Sequence, residues 1–128
     1  MPINTALVPV FTEEARHTDT VLLYQSLTGA VAGPTLRVAA SGLTGTVVGP
    51  VLVLSGAEAA LAPAREVGMV FTVDSLAGAT EQLLAHGAEL VRELPPMPHG
   101  RARRLRHPDG LVVEYLELSR APQGRPLP

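Results

Sequence analysis

The chain has 128 residues, a net charge of −2 and no cysteine. This length suits one compact domain with a real core, and the lack of cysteine excludes disulfides, thiolate metal ligands and a cysteine nucleophile. All ten basic residues are arginine, and the slightly negative balance gives no electrostatic reason to bind nucleic acid or an anionic membrane.

No targeting or membrane segment is evident in the sequence. No apolar run approaches the length of a bilayer span, and the first residues, which include Pro2 and Asn4, lack the basic and apolar regions of a signal peptide. We therefore expect a cytoplasmic protein that has neither a membrane nor a nucleic-acid partner.

The first half of the chain reads as strand, helix and three short strands. Residues 3–11 form the first strand, in which Pro9 marks an edge, a bulge or a crossover because it cannot donate to a ladder. Thr12 is the predicted N-cap of a helix that begins at Glu13 and ends near residue 27. Residues 35–40, 43–48 and 51–54 are predicted strands separated by glycines, and residues 57–66 form a linker.

The second half repeats this order with clearer signals. A strand at 67–73 leads into Ser75, the predicted N-cap of a helix that Gly87 closes in a left-handed conformation. Strands follow at 88–94, 101–106 and 111–118, and Asp109-Gly110 forms the tight turn between the last two. The predicted order is β-α-β-β-β in each half.

Residues 71–117 carry a family resemblance. A strand ending in Val73-Asp74, a helix ending in His86-Gly87-Ala88, a glycine at 100 and a Pro-Asp-Gly turn before an apolar strand with Glu114 resemble the vicinal oxygen chelate superfamily, which contains glyoxalase I, bleomycin-resistance proteins and extradiol dioxygenases. The resemblance implies an α+β fold in which two βαβββ modules, about 1–56 and 67–118, form a cup-shaped, mostly antiparallel sheet with helices outside. Residues 1–118 would then be a single domain, followed by a disordered tail at 119–128.

The opening strand resembles one branch of that superfamily more closely. Residues 6–12, with Pro9, look like the first strand of bleomycin-resistance proteins, where such a proline accompanies exchange of the N-terminal segment between two subunits. The resemblance implies a homodimer that exchanges this strand. The alternative is a kinked edge strand.

The residues at the metal-ligand positions of the family predict that no metal binds. Carried over one at a time, these positions fall at Asn4, within residues 51–54, at Gly68 and at Glu114, and only Glu114 offers a good ligand. Because a catalytic metal generally needs about three protein ligands, we expect no metal and no other cofactor. His17, His86, His99 and His107 lie on predicted helices and loops, so a surface position is favoured for each, with a catalytic role for His107 as a lesser alternative.

Glu114 is the candidate catalytic residue. Strand alternation places Glu114 with Val112 and Leu116 on one face, and burial without a partner would disfavour its charged form and suit it to proton transfer. The alternatives are a salt bridge to an arginine such as Arg37, or a polar anchor for a ligand amine or hydroxyl.

The remaining ligand-binding candidates line the predicted cup or its mouth. The arginine-rich segment 101–106 is either a solvated edge or a source of guanidinium groups for an anionic ligand. The lining is small and aliphatic, which favours a hydrophobic metabolite over a flat aromatic ligand. The candidates are Val8, Arg37, Val70, Thr72, Arg103 and Leu116.

Two function classes therefore remain, with a third behind them. The first is a metal-independent binding protein for a hydrophobic metabolite or antibiotic. The second is a metal-free lyase, isomerase or cyclase that uses Glu114 as general acid or base. A metal-dependent glyoxalase or dioxygenase is the third.

Overall fold

A computed structural model describes residues 2–38, 41–97 and 100–118. In these residues the chain forms eight strands and three α-helices. The strands are β1 (Ile3–Glu13), β2 (Thr35–Val38), β3 (Leu43–Val48), β4 (Val51–Gly56), β5 (Met69–Val73), β6 (Glu89–Glu93), β7 (Gly100–Arg106) and β8 (Val112–Leu118). The helices are α1 (His17–Thr28), α2 (Glu58–Ala64) and α3 (Leu76–Ala85). The predicted disordered tail and the last two residues of the predicted strand 35–40 lie outside the described residues.

The chain divides into two compact units. The first unit is Leu7–Gly68, and the second unit joins Met69–Pro128 to Met1–Ala6. β1 therefore contributes to both, since its first residues belong to the second unit and the rest to the first. The change of unit falls between Ala6 and Leu7, and Pro9 follows shortly after it.

The first unit is a mixed sheet with strand order β2-β3-β4-β1. β1 runs parallel to β4, and the other two pairings are antiparallel. One face carries α1, whose His17 contacts Ser55 and Thr46. A small apolar cluster elsewhere in this unit joins Leu43 to Leu61 and Ala64 of α2.

The start and end of α1 show one wrong prediction and one confirmed one. β1 continues through Glu13, a 3-10 turn spans Glu14–Arg16, and the α-helix begins only at His17. The reason is the β1–β4 ladder, in which Thr12 pairs with Ser55 and Glu13 with Gly56, so Thr12 is held extended rather than serving as an N-cap. The predicted end is correct, since Gly29 follows α1 with φ of 75° and donates to the Gln25 carbonyl at 2.9 Å.

The segment predicted as a linker contains a helix. Residues 57–66 include α2, whose Leu61 and Ala64 are buried, and they belong to the first unit. Alanine is the best helix former, and four of the seven residues of α2 are alanine.

The second unit repeats the pattern with strand order β5-β8-β7-β6. β5 is parallel to β8, and β7 pairs antiparallel with both β8 and β6. Its core lies between α3 and one face of this sheet, and the fully buried residues Leu76, Leu105 and Val113 form its centre.

The predicted ends of α3 are confirmed. The Ser75 hydroxyl accepts a hydrogen bond from the Gly78 N–H at 2.9 Å, as an N-cap should. Gly87 takes φ of 96° and donates to the Leu84 carbonyl at 3.1 Å. The sequence did not predict that the Glu117 carboxylate accepts from the Leu76 N–H at 2.7 Å, which adds a negative charge at the positive end of the helix.

The order β-α-β-β-β is thus confirmed in each half of the chain. None of the described helices has the length and apolar character that crossing a bilayer requires.

Candidate functional site

The face of the second unit's sheet that points away from α3 brings together most of the predicted site. Val113 and Tyr115 pack in the α3 core, so alternation turns Glu114 and Leu116 to the opposite face. On β5, Val70 lies opposite Glu114 and Thr72 opposite Leu116. Four of the predicted site residues, Val70, Thr72, Glu114 and Leu116, therefore form a block on two adjacent strands.

Glu114 has a partner that the sequence did not predict. Nε of Arg104 donates to Oε1 of Glu114 at 3.2 Å, and the two residues lie directly opposite each other on β7 and β8. The Arg104 side chain is 9% exposed and the Glu114 side chain 24% exposed. The expectation of an unpartnered carboxylate is therefore wrong. The alternative of a salt bridge is correct, with Arg104 in place of Arg37.

The surroundings of this ion pair are apolar. Val70 is 3% exposed, Ala102 is fully buried opposite Leu116, and Thr72 and Leu116 are half-buried. Because apolar neighbours leave little water to solvate the pair, its hydrogen bond is electrostatically stronger than it would be in water. Oε2 of Glu114 has no hydrogen bond within the described residues, so it can accept one from a ligand.

Arg103 is not part of this block. Its Nε donates to Oε1 of Glu93 at 2.6 Å and its Nη1 to the Thr80 hydroxyl at 3.0 Å, which places it on the α3 side of the sheet. Arg103 therefore anchors α3 to β7, and the structure does not bring it to Glu114.

Val8 and Arg37 lie in the first unit. Val8 pairs with Val51 and is 46% exposed. Arg37 is exposed on the edge strand β2, where its Nη1 lies 3.5 Å from the Thr44 hydroxyl. Both belong to the first unit, whereas the block around Glu114 belongs to the second.

The residues at the family's metal-ligand positions do not fit a metal. The Asn4 amide donates to the Asp74 carboxylate at 2.7 Å, β4 offers only apolar side chains from residue 51 to 54, and Gly68 has no side chain. Glu114 is paired with Arg104. Across the described ranges, no group of three or more His, Asp or Glu side chains is arranged to hold a metal ion.

His17 belongs to a polar network in the first unit, contrary to the expected surface position. Its Nδ1 lies 2.7 Å from the Ser55 hydroxyl and its Nε2 lies 2.8 Å from the Thr46 hydroxyl. The Thr46 hydroxyl is in turn 2.7 Å from that of Thr35. Burial lowers the pKa of His17, which favours the neutral ring that can both donate and accept.

This network is structural. A serine beside a histidine is the beginning of a nucleophile and base pair, but Ser55 is 0% exposed and no substrate reaches it. The only sequence signal was the presence of Thr46 and Ser55 in otherwise apolar strands, where a buried hydroxyl needs a partner.

A cavity of about 230 Å³ lies between α3 and the sheet of the second unit. Val73, Tyr115 and the helix residues Ala79, Leu83 and His86 line part of it. The Tyr115 hydroxyl lies 2.7 Å from Nε2 of His107, and burial raises the pKa of Tyr115. His107 thus has a partner within its own unit. His86 closes the end of α3, with Nδ1 2.9 Å from the Gln82 carbonyl, and His99 lies outside the described residues.

Comparison with known proteins identifies the family of this chain. Residues 34–115 match the model of the Glyoxalase/Bleomycin resistance protein/Dioxygenase superfamily. An uncharacterised protein from Methanosarcina mazei has a similar solved structure, with 31% identity, a TM-score of 0.82, and coverage of 93% of this chain and 95% of that chain. No protein of curated function matches.

Two epimerases show the same fold at lower identity. Methylmalonyl-CoA epimerase from Mycobacterium tuberculosis has 12% identity and a TM-score of 0.69, with 96% of this chain and 93% of that chain covered. A methylmalonyl-CoA epimerase from Streptomyces coelicolor, solved with 2-nitronate-propionyl-CoA, has 15% identity and a TM-score of 0.67, with coverage of 94% and 96%.

These similar structures are an uncharacterised protein and epimerases rather than bleomycin-resistance proteins, so the closer resemblance to the latter is not supported. The family match covers well over half of the chain, and the expected α+β fold of that family is confirmed. The chain belongs to the glyoxalase/bleomycin resistance protein/dioxygenase superfamily.

Proposed function

We propose that this protein is a metal-independent binding protein for a small hydrophobic molecule, either a metabolite or an antibiotic that it sequesters or carries. The observation that supports the proposal is the Glu114–Arg104 ion pair set among Val70, Thr72 and Leu116. The one carboxylate at a family ligand position is committed to a guanidinium, and the side chains around it are suited to an apolar ligand.

The ligand contacts follow from this block. The apolar part of the ligand packs on Leu116 and on the methyl group of Thr72, which are both half-buried, and the buried Val70 completes their apolar surroundings. A hydroxyl or amine on the ligand donates to Oε2 of Glu114, while Arg104 holds the carboxylate in place through Oε1. The ion pair thus orients the ligand, and the aliphatic side chains supply most of the binding free energy.

A metal-free lyase, isomerase or cyclase is the second candidate. The free Oε2 of Glu114 favours it, because a carboxylate oxygen beside a bound substrate can take a proton from an adjacent carbon or oxygen. The similarity to methylmalonyl-CoA epimerases concerns the fold alone and does not distinguish the two candidates.

The proposal includes a homodimer, with exchange of the N-terminal strand as one way to form it. α1 has no buried residue, and its Leu22, Leu23 and Leu27 are each more than half exposed. Neighbouring exposed leucines on one helix are typical of a surface that a partner covers, and a second copy of the chain is the partner we propose.

Native mass spectrometry of untagged protein, purified without a chelator, tests the proposal. We expect a dimer without metal, and a retained organic molecule would give the mass of the ligand. A stoichiometric transition metal would overturn the metal-independent proposal and would favour a metal-dependent glyoxalase or dioxygenase.

The variant Glu114→Gln separates the binding protein from the enzyme. It keeps the volume of the side chain and removes its charge and its basicity. If ligand affinity falls, the carboxylate serves in binding, as we propose. If turnover of the retained ligand is lost while its affinity is unchanged, the protein is a metal-free enzyme, the second candidate.

A further inference from the structure

The arginines of β6 and β7 differ in one respect. β7 carries four of them, and each is paired with a carboxylate on a neighbouring strand. The pairs are Arg101 with Glu117, Arg103 with Glu93, Arg104 with Glu114 and Arg106 with Glu89. Arg92 on β6 is exposed and has no ion pair or hydrogen bond from its side chain within the described residues.

The strand register places Arg92 on the same face as Glu114. Arg92 lies directly opposite Arg104, and its neighbour Glu93 lies opposite Arg103. The Glu93–Arg103 pair is on the α3 side, so alternation sends Arg92 to the other side. Val70, Glu114, Arg104 and Arg92 therefore form one row across four strands, β5-β8-β7-β6.

A β-bulge produces this placement. The register of β6 shifts between Leu90 and Arg92, which inserts an extra residue into the strand. Bulges re-aim side chains and are common beside functional sites. Without the shift, Val91 would take the position opposite Arg104, and the row would end in an apolar residue.

Two arginines directly opposite each other on adjacent strands repel. Glu114 neutralises one of the two charges, so the row of Glu114, Arg104 and Arg92 retains a net charge of about +1. Arg92 therefore differs from the four arginines of β7, each of which is paired with a carboxylate. An anion beside Arg92 removes the repulsion, and a site that breaks a local rule in this way is typical of function.

We propose that Arg92 binds the carboxylate of the ligand, and that the ligand of this protein is therefore a small carboxylic acid with an apolar body. This inference rests on the proposed binding function and names its ligand class. The planar guanidinium matches a carboxylate with two parallel hydrogen bonds. The apolar body then extends along the sheet face toward the half-buried Leu116 and Thr72, and the single net positive charge of the row matches a monoanion.

Isothermal titration with octanoate, octanol and octyl phosphate tests this ligand class. The three probes share one apolar chain and differ in the head group. We expect octanoate to bind wild type more tightly than octanol, by about ten-fold, because a hydrogen-bonded charge is added to the same apolar contact. Arg92→Gln should abolish this preference and leave octanol affinity unchanged, and Arg92→Lys should restore part of it.

Arg16→Gln is the matched control. Arg16 is also exposed, its side chain has no partner in the described part of the chain, and its replacement changes the net charge by the same amount. It should leave the affinity for all three probes unchanged. Leu116→Ser should weaken octanoate and octanol alike, which locates both on the proposed face.

The outcomes separate the two proposals. If octanol and octanoate bind wild type equally and Leu116→Ser weakens both, the binding function stands and the acid inference is wrong. An octanoate preference that survives Arg92→Gln, or tighter binding of octyl phosphate than of octanoate, also overturns the inference. If no probe binds wild type, the apolar face is not a ligand site and both proposals fall.

Discussion

Breaking the Glu114–Arg104 pair should cost more than breaking a surface pair of the same length. Exposed pairs contribute about 0–1 kcal/mol, and removing one partner of a fully buried pair costs about 3–5 kcal/mol. Arg104 is 9% exposed and Glu114 24% exposed, so the pair lies between these limits. We expect Glu114→Gln to lower the free energy of unfolding by about 2 kcal/mol, which corresponds to a loss of roughly 8 °C in Tm for a domain of this size.

A double-mutant cycle with Glu114→Gln and Arg104→Met measures the interaction itself. Urea unfolding followed by far-UV circular dichroism should give a coupling free energy of about 1.5 kcal/mol. The Glu89–Arg106 pair is the matched control, since its N–O distance is also 3.2 Å but its side chains are 68% and 46% exposed. Its cycle should give less than about 0.5 kcal/mol. Equal coupling in both cycles would refute the argument that burial determines the strength of the central pair.

Three further changes have defined outcomes. Gly100→Ala should lower the free energy of unfolding by about 3 kcal/mol in urea titrations, because an added Cβ would collide with the backbone carbonyl oxygen of Glu117; a change below about 1 kcal/mol would contradict this. Burial lowers the pKa of His17 in the folded protein. As the pH falls below about 6.5, the unfolded chain therefore binds more protons than the folded protein does, and the free energy of unfolding decreases. His17→Gln should flatten that slope between pH 7.5 and 5.5, and an unchanged slope would assign it to other groups. Burial also raises the pKa of Tyr115, so a spectrophotometric titration should show a tyrosine that ionises above about pH 10. Tyr115→Phe should remove that component and cost about 1 kcal/mol through loss of the bond to His107, and a titration that keeps the component would contradict the assignment.

Local signals were sufficient for much of the second half of the chain. Ser75 fixes the start of α3 through its side-chain hydroxyl and Gly87 fixes the end through its backbone N–H, and both hydrogen bonds involve only residues nearby in sequence. Alternation along β8 likewise separates Glu114 from Tyr115, because the period of a strand does not depend on its partners. These features could be predicted because each one is determined within a few residues.

The start of α1 and the partners of the charged side chains depend on strand register. Thr12 remains extended because it pairs with Ser55, which is 43 residues away. Thr12 is a suitable N-cap by residue type, but the strand pairing that holds it extended cannot be seen in the local sequence. Arg104 meets Glu114 because the β7–β8 hairpin turns at Asp109-Gly110. The bulge that brings Arg92 opposite Arg104 has no glycine or proline to mark it.

β1 also determines the order in which the chain can be assembled during synthesis. The unit Leu7–Gly68 is contiguous, so all of its strands exist before the second half of the chain is made. Residues 3–6 belong to the other unit, where Asn4 bonds to Asp74, 70 positions later. The first residues to be synthesised are therefore among the last to find their neighbours, and until then they present unpaired backbone N–H and C=O groups. The proposed exchange of the N-terminal strand can occur during this interval. The strand of one chain can bind to a second copy that already contains residue 74, before the first chain has reached residue 74 itself.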